Sequence, residues 1–107
     1  MSMNLLQRLQ TWYAAQCDGD WEHQHGIRIE SLDNPGWWVK IDLQGTDLAG
    51  KSFPPVRQGI SDDKMQHDAV WFCCEVQDGR WFDAAGDPSQ LEPILERFLA
   101  WAERPAA

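Results

Sequence analysis

The stretch from Ile27 to Leu43 constrains this fold more than any other part of the chain. Ile27 and Ile29 alternate with Arg28 and Glu30; after Asp33-Asn34-Pro35-Gly36, Trp37, Val39, Ile41 and Leu43 alternate with Trp38, Lys40 and Asp42. A period of two marks half-buried strands, and the Pro-Gly pair between them marks a turn. Because a one-residue slip would move every apolar side chain to the wrong face, the pattern also sets the register: Ile29 opposite Val39 and Ile27 opposite Ile41. The second face then carries Arg28, Glu30, Trp38, Lys40 and Asp42. Arg28 falls diagonal to Asp42 and Glu30 diagonal to Lys40, so these charges are expected to cross-pair around the Trp38 indole.

A helix is expected on either side of the sheet-forming region. Residues 4–17 place Leu5, Leu6, Leu9, Trp12, Tyr13 and Cys17 at helical spacing, with Asn4 as the N-cap and Asp18-Gly19 as the stop. Asp20-Trp21-Glu22-His23 reads as a linker. Near the other end, Leu91, Ile94, Leu95, Phe98, Leu99 and Trp101 form an apolar stripe. Two starts are open for that helix, an Asp87 cap followed by Pro88 or a capping box from Ser89 to Glu92. Pro105 ends it.

Between these lie a loop and a second hairpin. Residues 44–68 hold Gly45, Gly50, Pro54, Pro55 and Gly59, which predicts loop with a short edge strand around Phe53 to Arg57. The apolar run from Ala69 to Gln77 predicts a central strand covered on both faces. Asp78-Gly79 then turns it into Arg80-Trp81-Phe82. The expected fold is a single α+β domain over residues 1–107: a four- or five-stranded antiparallel sheet built from two hairpins, with the N- and C-terminal helices packed on it.

Composition narrows function by exclusion. Seventeen Asp and Glu against nine Lys and Arg give a net charge of -8, which repels a phosphate backbone and steers in a basic protein partner. Direct nucleic-acid binding is therefore not expected. The charge is concentrated in two segments, 17–42 and 61–87. The first residues lack the pattern of an export signal, no stretch is long enough to span a bilayer, and three cysteines make no disulfide framework. A cytoplasmic protein, monomeric or weakly dimeric and without membrane contact, is expected.

Cys17, Asp18, Asp20, Glu22, His23 and His25 are all metal-ligating types, but they lack zinc spacing and the later glycine and glutamate of a calcium loop. Helix cap followed by an acidic turn is the better reading, with no metal and no cofactor. A Cys-His nucleophile drawn from Cys17 or Cys73 with His23, His25 or His67 meets the objection that both cysteines fall in apolar surroundings. Gly45 to Ser52 satisfies the phosphate-loop pattern G-x-x-x-x-G-K-[ST], yet Pro54-Pro55 blocks the helix whose N-terminus such a loop needs. Binding remains. Trp12, Trp71 and Trp101 are expected in the core, whereas Trp38 alternates out of it and is either an interface anchor or covered by the 44–68 loop.

Trp12-Tyr13, the run from Gln16 to His23, Gly26-Ile27, Leu32 to Trp37, Ile41-Asp42-Leu43 and Gly86-Asp87-Pro88 together resemble the immunity protein 53 family of bacterial polymorphic toxin systems. The resemblance covers nearly the whole chain, and Gln16 to His23 is its most specific part. It implies a small protein, not an enzyme, that binds and neutralises a cognate toxin, and it brings no catalytic residues. From charge and exposure, the expected toxin-binding surface is Asp18, Asp20, Glu22, Glu30, Asp33, Trp38 and Asp42. An acidic inhibitor suits a toxin with a basic cleft, such as a nuclease. The competing reading is a small metal-dependent hydrolase using Asp18, Asp20, His23 and His25.

Overall fold

The computed structural model describes residues 3–60 and 68–104. His67 and Pro105, singled out above, lie outside that range, as do residues 61–67 of the second acidic segment. In chain order the elements are α1 (Leu5–Gln16), α2 (Trp21–Gln24), β1 (Ile27–Leu32), β2 (Gly36–Asp42), β3 (Val56–Gln58), β4 (Phe72–Gln77), β5 (Trp81–Gly86) and α3 (Leu91–Ala102). The strands form one antiparallel sheet in the order β1-β2-β5-β4-β3, making this an α+β fold. No helix among the described residues is long and apolar enough to cross a membrane.

The first hairpin has the expected register, Ile27 opposite Ile41 and Ile29 opposite Val39. Pairing of β2 with β5 then aligns Val39 with Ala84 and Ile41 with Phe82, and β4 adds Cys74 and Val76 to the same face. On that face Leu9 of α1 and Ile94, Leu95, Phe98, Leu99 and Trp101 of α3 complete one core. Aromatic rings meet edge to face through it: Trp12 and Phe98 at 5.0 Å, Phe53 and Trp101 at 5.2 Å. Such contacts add to the burial of large apolar area, and truncating a ring as enclosed as Phe98 costs about 3–5 kcal/mol. Arg8 joins the two helices outside the core, reaching Glu96 at 2.5 Å and Glu103 at 2.7 Å.

Local details depart from expectation in several places. Asn4 does cap α1, in a reciprocal capping box with Gln7, but the helix ends at Gln16 with an extended Cys17 rather than at a left-handed glycine. Gly19, with φ +98°, serves the following turn instead. Of the predicted stripe only Leu9 is buried, with Leu5 and Trp12 packed beside it; Leu6, Tyr13 and Cys17 are exposed. The supposed linker contains α2, whose Trp21 is buried. β4 starts at Phe72 and is not the central strand, a place taken by β5, and Val70 before it is exposed.

Neither predicted start of α3 is used, because Asp87 has another task. Its buried carboxylate accepts hydrogen bonds from the Trp71 and Ser89 backbone N–H groups and from the Ser89 hydroxyl, while its own N–H donates to the Trp71 carbonyl. Asp87 thereby ties the entry to β4 to the exit from β5. The helix begins only at Leu91, preceded by Gln90.

The Gly45 to Ser52 segment is a series of turns with Leu48 in the core, and the described residues 53–60 that follow it form no helix. Lys51 Nζ donates to the carbonyls of Trp101 and Arg104 at 2.8 and 2.7 Å, so it caps the C-terminal end of α3, where a cation is favoured by the helix dipole. The Trp101 indole N–H donates back to the Ser52 carbonyl. The phosphate-loop pattern is a coincidence of a helix-capping turn.

Candidate functional site

Both long helices cover one face of the sheet, and among the described residues no helix covers the other, the open face. Alternation places Arg28, Glu30, Trp38, Lys40, Trp81, Asp83, Ala85, Cys73 and Glu75 there. Trp38 is half-buried, and its indole N–H donates to Asp83 Oδ1 at 2.8 Å. A groove of about 280 Å³ runs beside it, lined by Leu32, Ile60, Trp71, Cys73 and Ala85 among others. Trp71 is thus buried as expected, but against this face and outside the main core.

The contacts around Trp38 differ from the expected cross-pairs. Lys40 lies over the Trp81 ring at 4.5 Å and 5.8 Å from the Trp38 ring, a cation held by two indole faces. The register does leave Arg28 diagonal to Asp42 and Glu30 diagonal to Lys40, but among the described residues neither couple forms an ion pair. Asp42, expected on the exposed charged face, is only 1% exposed. The reason is local: Gly26 pairs with the end of β2, bringing His25 over it, while Arg80 approaches from the second hairpin.

Asp42 is held by several donors. His25 Nδ1 lies 2.5 Å from its Oδ2, Arg80 Nε lies 3.5 Å from its Oδ1, and the Gln44 backbone N–H donates to it at 3.0 Å. Burial alone would raise the Asp42 pKa, but the bonds from Gln44, His25 and Arg80 outweigh it and hold the carboxyl below its ordinary value. Together with His23, Arg28, Lys40 and Trp81, Asp42 and His25 line a cavity of about 450 Å³.

The acidic turn before α2 is a self-bonded unit. Asp18 Oδ1 accepts from the backbone N–H groups of Asp20 and Trp21, and Glu22 accepts from those of Asp18 and Gly19. The Asp18 pKa is lowered by the bonds from Trp21 and Asp20. Asp18 and Glu22 therefore fix the turn, while Asp20 is exposed on it.

The seven predicted contact residues thus fall into separate places: Asp18 and Asp20 on this turn and Glu22 in the first turn of α2, Glu30 and Trp38 on the open face, Asp33 in the β1–β2 turn, and Asp42 beneath His25. The hydrolase set is likewise divided, since Asp18 bonds to the start of α2 and His25 faces Asp42. Among the described residues no group of three or more His, Cys, Asp or Glu is placed to hold a metal ion. Trp81 and Asp83 belong to the open face but not to the expected surface: Trp81 lies within the return strand read from the sequence, which gives it no face, and Asp83 lies beyond Phe82, where that strand is read to stop. Continuing the alternation from Trp81 through Asp83 and Ala85 finds both.

The described residues thus form an α+β domain whose two long helices lie on one face of a five-stranded antiparallel sheet. The model of the family described as immunity protein 53 matches residues 6–103, and the chain belongs to that family. No curated protein and no solved structure matches it.

Proposed function

We propose that this chain binds and neutralises a cognate toxin through the sheet face that the helices leave uncovered, with Trp38 as the anchor, Glu30 opposite it, and the exposed Asp33 steering from the β1–β2 turn. Membership of an immunity protein family, spanning residues 6–103, is the observation that carries the reading. Trp38 supplies large, rigid apolar area next to a groove, the usual character of an interface hot spot. Asp20 and the rest of the acidic turn add negative potential that steers a basic partner, as a nuclease cleft would be. Asp42 supports the face from beneath rather than touching the toxin. Neutralisation by binding needs no catalytic residue and no cofactor, and the protein would act in the cytoplasm of the producing bacterium.

The test is co-expression with the protein encoded next to it, followed by co-purification and a growth-protection assay. A stable complex that protects cells, weakened about 30-fold or more by Trp38→Ala, is expected for a hot spot. Failure to bind or protect against that neighbour would refute neutralisation; a complex indifferent to Trp38→Ala would move the interface off the open face.

A further inference from the structure

The two edges of the sheet differ. β3 is only three residues long and follows Pro54-Pro55, both features that discourage edge pairing. β1 is six residues long, contains no proline or lysine, and is exposed over its four middle residues. Its hydrogen-bonding phase can be read from the ladder. The Asp42 N–H donates to the Gly26 carbonyl at 3.0 Å, so the hydrogen-bonded positions facing β2 are Gly26, Arg28, Glu30 and Leu32. The N–H and C=O groups of Ile27, Ile29 and Ser31 point outward.

Apolar surface lies beside that edge. Ile29 is 40% exposed, and the adjacent face of α1 presents Leu6 at 64% and Tyr13 at 38%. Leu6, Gln10 and Tyr13 share one side of the helix, and Gln10 and Tyr13 line a groove of about 460 Å³ with Ile27.

We infer that β1 pairs antiparallel with β1 of a second copy of this chain, forming a continuous sheet across a two-fold axis at Ile29. The sequence of the strand is self-complementary in this register. Ile29 of the two copies meet on the helix-covered face, and Arg28 of each faces Glu30 of the other on the open face. Ile27 faces Ser31, so every outward backbone group of the three odd positions finds a partner. Arg28 and Glu30 occupy non-hydrogen-bonded pairs, where side chains approach most closely. The α1 faces bearing Leu6 and Tyr13 flank the new junction, and an isologous contact of this kind closes on itself. Trp38 and Asp33 remain available to a toxin.

Sedimentation velocity on the full chain without toxin, over a broad concentration series, tests this directly. A dimer is expected, with its dissociation constant raised about tenfold or more by Arg28→Glu. The double variant Arg28→Glu/Glu30→Arg should restore it, because the charge swap regenerates both cross-strand pairs. Hydrogen exchange supplies a second readout: the Ile27, Ile29 and Ser31 amides should be protected in the dimer and exchange freely in the dissociated Arg28→Glu protein. A chain monomeric at every concentration, a dimer insensitive to the charge reversal, or free exchange of those amides in the dimer would overturn the inference. A strand of the toxin occupying this edge would appear as protection of the same amides only in the toxin complex, and would also overturn it.

Discussion

Asp42 shows how a residue with an exposed-looking pattern becomes part of the framework. Its carboxylate is buried, accepts from Gln44 and is faced by His25 and Arg80. Replacing it with Asn should lower stability at neutral pH by about 1–3 kcal/mol, since the amide cannot satisfy the same donors, and urea unfolding would measure this. The pH dependence follows from the sign of its shift. The folded pKa is depressed, so the stabilisation is complete above the ordinary carboxylate value of about 4 and is lost as pH falls through the folded value. Asp42→Asn should therefore flatten the acid limb of the stability curve. An unchanged limb would assign acid sensitivity to other carboxyls with lowered pKa values, such as Asp87, which burial would raise but its bonds from Ser89 and Trp71 lower.

At the scale of elements, close contacts decide what can be changed. A Cβ at Gly36 would run into the Gly86 carbonyl across the β2–β5 pair, so Gly36→Ala should cost about 1–3 kcal/mol by denaturant unfolding. Lys51→Met keeps the apolar stem but removes the cap on α3 and should cost about 1 kcal/mol, read as a lower melting temperature. The first hairpin is legible in the sequence because a period of two with one buried face admits a single register. The helix α1 is legible in position but not in facing. Leu5, Leu9 and Trp12 form the stripe that packs inward, while Leu6 and Tyr13 form a neighbouring stripe with the same helical spacing. Spacing alone cannot rank two adjacent stripes. Asp83-Ala84-Ala85-Gly86 has little intrinsic strand preference, and only pairing with β2 and β4 on either side makes it the central strand. That long-range pairing has no local signal, which is also why strand order is not written in the sequence pattern. The candidate site is legible only in part: Trp38 stands out of the core row, but the burial of Asp42 depends on His25 and Arg80 arriving from separate elements.

For the whole molecule, charge acts before contact does. A net charge of -8 gives a field that attracts a basic partner at distances where individual side chains do not yet matter. Asp20 and Asp33 are the useful probes of it, because both are exposed, whereas Asp18 and Glu22 bond to the backbone of their own turn. Asp20→Asn combined with Asp33→Asn should slow association with a basic toxin several-fold at low salt while leaving dissociation nearly unchanged. The salt dependence of the association rate should also become shallower, since fewer charges are left to be screened. Stopped-flow measurements across a salt series separate the two possibilities. If the double variant instead speeds dissociation, these carboxylates touch the toxin directly, and the acidic turn belongs to the interface rather than to the field that guides the partner toward Trp38.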